Sequence, residues 1–210
     1  MAYAARPMRY LTIELDMAGR RALVIGAGAE ATSKIERLLL SGAELTVIAP
    51  GELTPFVEQA AREGRIELAC RAPTDADVEG HAIVFIEPHD ETLSFSRRLY
   101  ERAQKAGTLV CTLDRPEVST FINPAVVRAS GLTMSVSTGG ASPALARRIR
   151  EDLEALFADP RFARFLAALA ALRSALPRGE RGARIKEAVK GFAIEGRLRF
   201  PGWLERGDDP

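Results

Sequence analysis

Between residues 21 and 114, apolar runs of strand length alternate with stretches of helix length. Few chain architectures accept that grammar. Arg21–Gly26 reads as a buried strand, and Ala31–Ser41 has helical spacing, with Ile35, Leu38 and Leu39 on one side and Gly42 closing it. Glu44–Pro50 is the next strand. A helix over 53–63 ends at Gly64, and Arg65–Arg71 makes a short alternating strand. His81–Glu87, a helix over 90–106 closed by Gly107, and Thr108–Asp114 complete the series. Short connections between alternating strands and helices predict an α/β fold, a parallel sheet with helices on both faces. Ahead of it, Tyr10–Asp16 is expected as a first strand, and Met17–Arg20 as a turn.

After Asp114 the grammar changes. Residues 119–138 read as a short helix or loop followed by a strand, and from Pro143 onward the pattern is helical, broken at Pro160, Pro177 and Gly202. Phe157, Phe162, Phe165, Leu166 and Leu169 form an apolar stripe expected in a core or a partner interface. Three segments follow, 1–113, 114–150 and 151–210. A net charge of +1 over 210 residues argues against a dedicated nucleic-acid binder. The charge is uneven. Residues 1–142 hold 15 Lys and Arg against 18 Asp and Glu, and residues 143–210 hold 14 against 10. Two cysteines and two histidines supply neither a disulfide framework nor a multi-histidine metal site. No apolar run is long enough to span a membrane, no signal core opens the chain, and a cytoplasmic location is expected.

Three stretches carry chemistry. Gly26-Ala27-Gly28-Ala29-Glu30-Ala31 fits G-x-G-x-x-[GA] at a strand–helix junction. The glycines let backbone approach a pyrophosphate, and the helix N-terminus supplies N–H groups and partial positive charge. A Rossmann-like fold normally ends its second strand on an acidic residue that holds the ribose; here the strand ends Ile48-Ala49-Pro50-Gly51. Asp114 ends a strand at the carboxyl edge of the sheet, where a carboxylate can serve as general acid or base, or simply form a turn. Ser137-Thr138-Gly139-Gly140-Ala141-Ser142-Pro143 joins a strand to a helix. Ser142 suits the N-cap, Pro143 the first helical position, and Arg147, Arg148 and Arg150 follow. Such a turn is an anion cradle or only a well-capped helix start.

Together these segments resemble the siroheme synthase dehydrogenase/ferrochelatase family. The likeness rests on Asp16-Met17-Ala18-Gly19-Arg20, Val24 to Gly28, Lys34, Leu38-Leu39, Asp114-Arg115-Pro116, Ser119 to Pro124, and Ser137 to Arg147. It implies NAD-dependent oxidation of precorrin-2 to sirohydrochlorin and, in many members, insertion of ferrous iron as a second substrate. NADP remains open beside NAD. It further implies that 1–113 is a Rossmann-like NAD-binding domain, that 114–150 is a dimerisation and active-site segment, and that 151–210 is a helical C-terminal domain of a homodimer. Asp114 would be the catalytic residue. Gly26, Gly28, Ala29, Glu30, Ala31, Pro50 and Gly51 would hold the cofactor. Thr138, Gly139, Gly140, Ser142 and Arg147 would hold the tetrapyrrole, whose carboxylates suit the basic C-terminal part.

The chain departs from that family at three places, all around the cofactor. Ser33 stands where an arginine is usual, Cys111 where an asparagine is, and Glu87-Pro88 where small residues are. Glu87 would bring negative charge near a pyrophosphate. Two alternatives therefore stand beside the dehydrogenase: a member with weakened NAD chemistry that chelates iron or binds a tetrapyrrole, and a nucleotide-sensing regulatory dimer.

Overall fold

The computed structural model describes residues 10–88, 93–202 and 206. Five parallel strands form one sheet: β1 (Arg21–Ile25), β2 (Glu44–Ile48), β3 (Glu67–Ala69), β4 (Ile83–Ile86) and β5 (Leu109–Thr112), in the order β3-β2-β1-β4-β5. In register, Ile25 lies against Ile48 on one side and Ile86 on the other, and Ile86 against Thr112. Helices α1 (Ala29–Leu40), α2 (Pro55–Arg62) and α3 (Ser94–Ala106) connect them. This is the Rossmann-like α/β architecture, with the strand order reversing between β1 and β4.

The continuous apolar strands follow from a sheet covered on both faces. Alternation sends Ala22, Val24, Leu45, Val47, Ile83 and Phe85 to one face, where Ala31, Ile35 and Leu38 of α1 and Val57 and Ala60 of α2 meet them. Leu23, Ile25, Val84, Ile86 and Val110 point the other way, onto Leu99 and Ala103 of α3 and Val78 of the short 3-10 turn Asp75–Val78. Leu23, Ile25 and Ile86 are fully buried, and each such side chain contributes roughly 1.5–3 kcal/mol. Gly107 ends α3 in the left-handed region at φ +71°, as the sequence predicts.

Two sequence expectations fail. Residues 10–16 form no strand. Leu11, Ile13 and Leu15 are 85%, 58% and 43% exposed, so the alternation is present but no sheet edge takes it up. Residues 119–138 hold two strands rather than one, β6 (Ala125–Ala129) and β7 (Leu132–Val136), preceded by the 3-10 turn Pro116–Val118. Ser130-Gly131 joins them with both residues at positive φ, +53° and +84°, the backbone of a two-residue antiparallel hairpin.

The chain forms two compact units. Among the described residues, the first comprises those of 10–125 and 135–148, and the second those of 126–134 and 149–202. Helix α4 (Pro143–Phe157) runs from one into the other. The second unit holds α5 (Pro160–Ala175) and α6 (Arg181–Ala188). Pro160 starts α5 rather than merely interrupting a helix, with Asp159 capping it through the Arg161 N–H at 2.8 Å. The apolar stripe forms a ring cluster, with Phe157 4.8 Å from Phe162 and Phe165 stacked on Phe192 at 5.5 Å. Residues 192–201 are not helical, contrary to the helix expected from Pro143 onward. Among the described residues no helix is long and apolar enough to cross a membrane.

His81, just before β4, is 8% exposed, and among the described residues neither ring nitrogen meets a partner at good hydrogen-bond geometry. Burial, then the charge of Arg21, holds its pKa below the ordinary 6.5. The unfolded chain thus takes up a proton that the folded one resists. Stability is full above pH 6.5 and falls as pH drops below it. From pH 7.5 to 5.5 the wild type is expected to lose up to about 1 kcal/mol more than His81→Leu, read as divergent thermal melts. Parallel melts would remove this role from His81.

Candidate active site

Three residues line up along the carboxyl edge of the sheet. Gly26 N–H donates to Ile48 O at 2.9 Å, Glu87 N–H to Ile25 O at 2.8 Å, and Leu113 N–H to Ile86 O at 2.9 Å. Each continues a strand by one residue. They place the glycine turn, Glu87 and the Asp114 loop side by side at the reversal of strand order, where ligands bind in open α/β sheets.

Gly26 is buried and turns the chain at φ +114°, a conformation for glycine. Gly28 is the N-cap of α1 and offers no side chain, so the first amides of the helix have no cap from their own segment. Thr32 in the first turn meets Thr54, N-cap of α2, through their hydroxyls at 2.9 Å. Pro50 and Gly51 follow β2 at the same edge and are exposed, and nothing lies within 4 Å of where a Gly51 Cβ would stand. A Cβ built on Gly26 or Gly28 would come within 2.5 Å of the Glu87 carboxylate. The glycines thus leave a cradle that side chains would fill. Turn, bare helix N-terminus and open edge fit a dinucleotide pyrophosphate. The cradle holds one carboxylate already: Gly28 N–H donates to Glu87 Oε2 at 2.9 Å.

Asp114 is exposed and sits in the left-handed region at φ +56°. A non-glycine residue there is uncommon, with Asp and Asn the better tolerated, and such positions cluster at functional sites. The loop around it is clamped to β5, the edge strand. Ser119 Oγ accepts the Thr112 N–H at 2.9 Å and donates to Arg115 O at 2.8 Å. Thr120 Oγ1 accepts the Val110 N–H at 2.8 Å, and Thr112 Oγ1 donates to Val118 O at 3.1 Å. The Ser-Thr pair of the sequence motif therefore satisfies the open edge of β5 and fixes the loop that carries Asp114.

Lys34, half-buried on α1, has its pKa lowered chiefly by burial and then by Arg37, with Glu30, Cys111 and Asp114 pulling the other way. Its ammonium therefore belongs to the electrostatic neighbourhood of Asp114. Cys111 is buried and its thiol is pushed up to about 11, mainly by burial, so it is not a thiolate at neutral pH.

In the loop before α4, Ser142 Oγ accepts the Leu145 N–H at 3.2 Å, as an N-cap should. Thr138 Oγ1 accepts the Ser142 N–H at 2.9 Å and donates to Ser142 O at 3.1 Å. These bonds stay inside the loop. Thr138 shapes the turn, and Gly139 and Gly140, both at positive φ and exposed, present backbone. Arg147 is exposed on the first turns of α4. Ser142→Ala is expected to cost about 1 kcal/mol through the lost cap, seen as a lower melting temperature. An unchanged melt would mean that Pro143 alone starts the helix.

Fold and turn together define a dinucleotide-binding protein of the Rossmann type. Residues 13–125 match the family described as "Putative NAD(P)-binding", and residues 130–156 match the family described as "Sirohaem biosynthesis protein central". The chain is 36% identical over 149 residues to a siroheme synthase of Nitrosococcus oceani, covering 71% of this chain and 31% of that protein. It is 38% identical over 148 residues to one of Pseudomonas entomophila, covering 70% and 31%. The chain belongs to the family described as "Putative NAD(P)-binding". It spans about a third of the length of these curated relatives. Among solved structures, SirC, a precorrin-2 dehydrogenase, has the same fold, with a TM-score of 0.72 at 23% identity over 87% of this chain and 90% of that one.

Proposed function

We propose that the chain oxidises precorrin-2 to sirohydrochlorin with NAD in siroheme biosynthesis. The observation that carries this reading is Asp114, held at positive φ beside the reversal of strand order in a chain that matches both NAD(P)-binding and sirohaem-biosynthesis families. Bound NAD supplies a hydride acceptor at that edge. The amides of Gly28, Ala29, Glu30 and Ala31 at the start of α1 would hold the pyrophosphate, with Gly26 admitting it, and Pro50 and Gly51 would border the ribose. The macrocycle is held by the Thr138–Ser142 turn, through the Gly139 and Gly140 backbone and the Ser142 cap, and by Arg147, which pairs with its carboxylates. The oxidation removes one hydride and one proton from the macrocycle; NAD would take the hydride, and the Asp114 carboxylate would accept the proton. Lys34, whose charge Asp114 helps to stabilise, belongs to the same neighbourhood.

In this reading 1–113 binds the cofactor, 114–150 forms the dimerisation and active-site segment, 151–210 is the helical domain, and the working unit is a cytoplasmic homodimer. Ferrous iron is a further substrate of the same Asp114. The Glu87 contact on Gly28 favours a second reading as well, a family member whose NAD chemistry is weakened and which retains tetrapyrrole binding or chelation. Anaerobic incubation with precorrin-2 and NAD, followed by absorbance, separates them. Sirohydrochlorin and NADH appearing together support the dehydrogenase. Tetrapyrrole binding without turnover supports the second reading, and failure to bind any tetrapyrrole sinks both.

A further inference from the structure

Glu87 stands on the strand next to the glycine turn, one residue beyond β4. Its main chain cannot retreat, because Glu87 N–H is bonded to Ile25 O at 2.8 Å. From there the side chain reaches across to the N-terminus of α1. Oε2 accepts the Gly28 N–H at 2.9 Å. Oε2 lies over Gly26 and Oε1 over Gly28, each 2.5 Å from where a Cβ would stand. The carboxylate thus fills the space that both glycines leave open. It gives α1 the anionic cap that Gly28, without a side chain, cannot give itself.

A pyrophosphate needs the same amide, the same volume and the same positive end of the helix. Two anions cannot share them. We propose that Glu87 is a built-in competitor for the cofactor pyrophosphate. The turn is closed by the chain's own carboxylate, and a dinucleotide binds by displacing it. This rests on the reading of the glycine turn as a dinucleotide site. The main chain is already in place, so opening needs only rotation of a half-buried side chain. The affinity measured for a dinucleotide is then reduced by the fraction of molecules in which the carboxylate is seated. A ligand without a pyrophosphate leaves Glu87 in place and carries no such penalty.

The test is calorimetric titration of the whole chain and of Glu87→Ala and Glu87→Gln with NADH and, separately, with adenosine. The contact is that of a carboxylate at a helix N-terminus. Its removal is expected to tighten NADH binding between about three- and thirtyfold in the alanine variant. Glutamine, which keeps the shape and loses the charge, falls between. Adenosine affinity stays the same in all three. Without ligand, the alanine variant melts about 2 °C lower, because α1 has lost its cap. NADH binding in the alanine variant equal to or weaker than wild type overturns the gate and leaves the dinucleotide site standing. An equal gain for adenosine also overturns it, since the effect would then not be at the pyrophosphate. No NADH binding by any variant, with normal melts, overturns the site and the gate together.

Discussion

Asp114→Asn is expected to abolish the sirohydrochlorin formation proposed for this chain, with turnover down about 10²–10⁴-fold, while melting temperature and NADH affinity stay at wild-type values. The choice of asparagine follows from the backbone. Asp114 sits at φ +56°, where Asn is tolerated nearly as well as Asp. Alanine there adds a conformational penalty of roughly 1–2 kcal/mol, which would blur a loss of chemistry with a loss of fold. Asparagine also keeps the size and reach of the side chain while removing its charge and its ability to take a proton. The clamp of Ser119 and Thr120 on β5 does not involve the Asp114 side chain, so the loop should survive the change. Measuring NADH binding alongside turnover keeps the cofactor site out of the result. An asparagine variant with full turnover would mean that the proton leaves by another route and that Asp114 only shapes its loop.

What could be read from the sequence was what depends on local periodicity. The runs at Arg21–Ile25 and Ile83–Ile86 are apolar on both faces because helices cover both faces, and that pattern needs no tertiary knowledge. Gly42, Gly64 and Gly107 mark helix ends for a reason confined to one residue, a positive φ. Tyr10–Asp16 shows the limit. Alternation prescribes a strand only where an open edge accepts it, and whether one exists is a property of the whole sheet. The hairpin at Ser130-Gly131 is hard to read from periodicity although Ser-Gly is a turn signal, because the flanking strands are only half-buried and their pattern is diluted.

The site divides in the same way. Glycine turn, Asp114 and the Ser142 cap were visible as motifs, each defined by neighbours in sequence. That Glu87 brings charge near the turn was legible from its departure from the family pattern. That its carboxylate lies on Gly28 was not, since the two are 59 residues apart and meet only because β4 pairs with β1 across the reversal. Thr138 shows the converse. Its hydroxyl reads as a ligand group in sequence, and in the structure both its hydrogen bonds are spent on Ser142.

Gly26→Ala is expected to have the largest effect on stability, and the reason separates it from its neighbour in the motif. At φ +114° an L side chain is strained whatever the space, and here there is no space. The new Cβ would stand 2.5 Å from Glu87 Oε2 and 2.6 Å from Glu87 Cβ. The carboxylate can rotate away, but Cβ cannot, because the Glu87 backbone is held to β1. Backbone strain and the clash together are expected to cost about 3 kcal/mol or more, a fall in melting temperature on the order of 10 °C. Gly28 differs. Its φ is −68°, ordinary for any residue, and its added Cβ would meet only the end of the Glu87 side chain, 2.5 Å from Oε1. Gly28→Ala should therefore cost about 1 kcal/mol, and less still in a Glu87→Ala background, where the clash is gone. The same background should leave Gly26→Ala almost as damaged as before, since alanine at 87 keeps its Cβ. Four melting curves decide it. If Glu87→Ala rescues Gly26→Ala as fully as it rescues Gly28→Ala, then Gly26 is required only for room beside the carboxylate, and its backbone conformation is not the constraint.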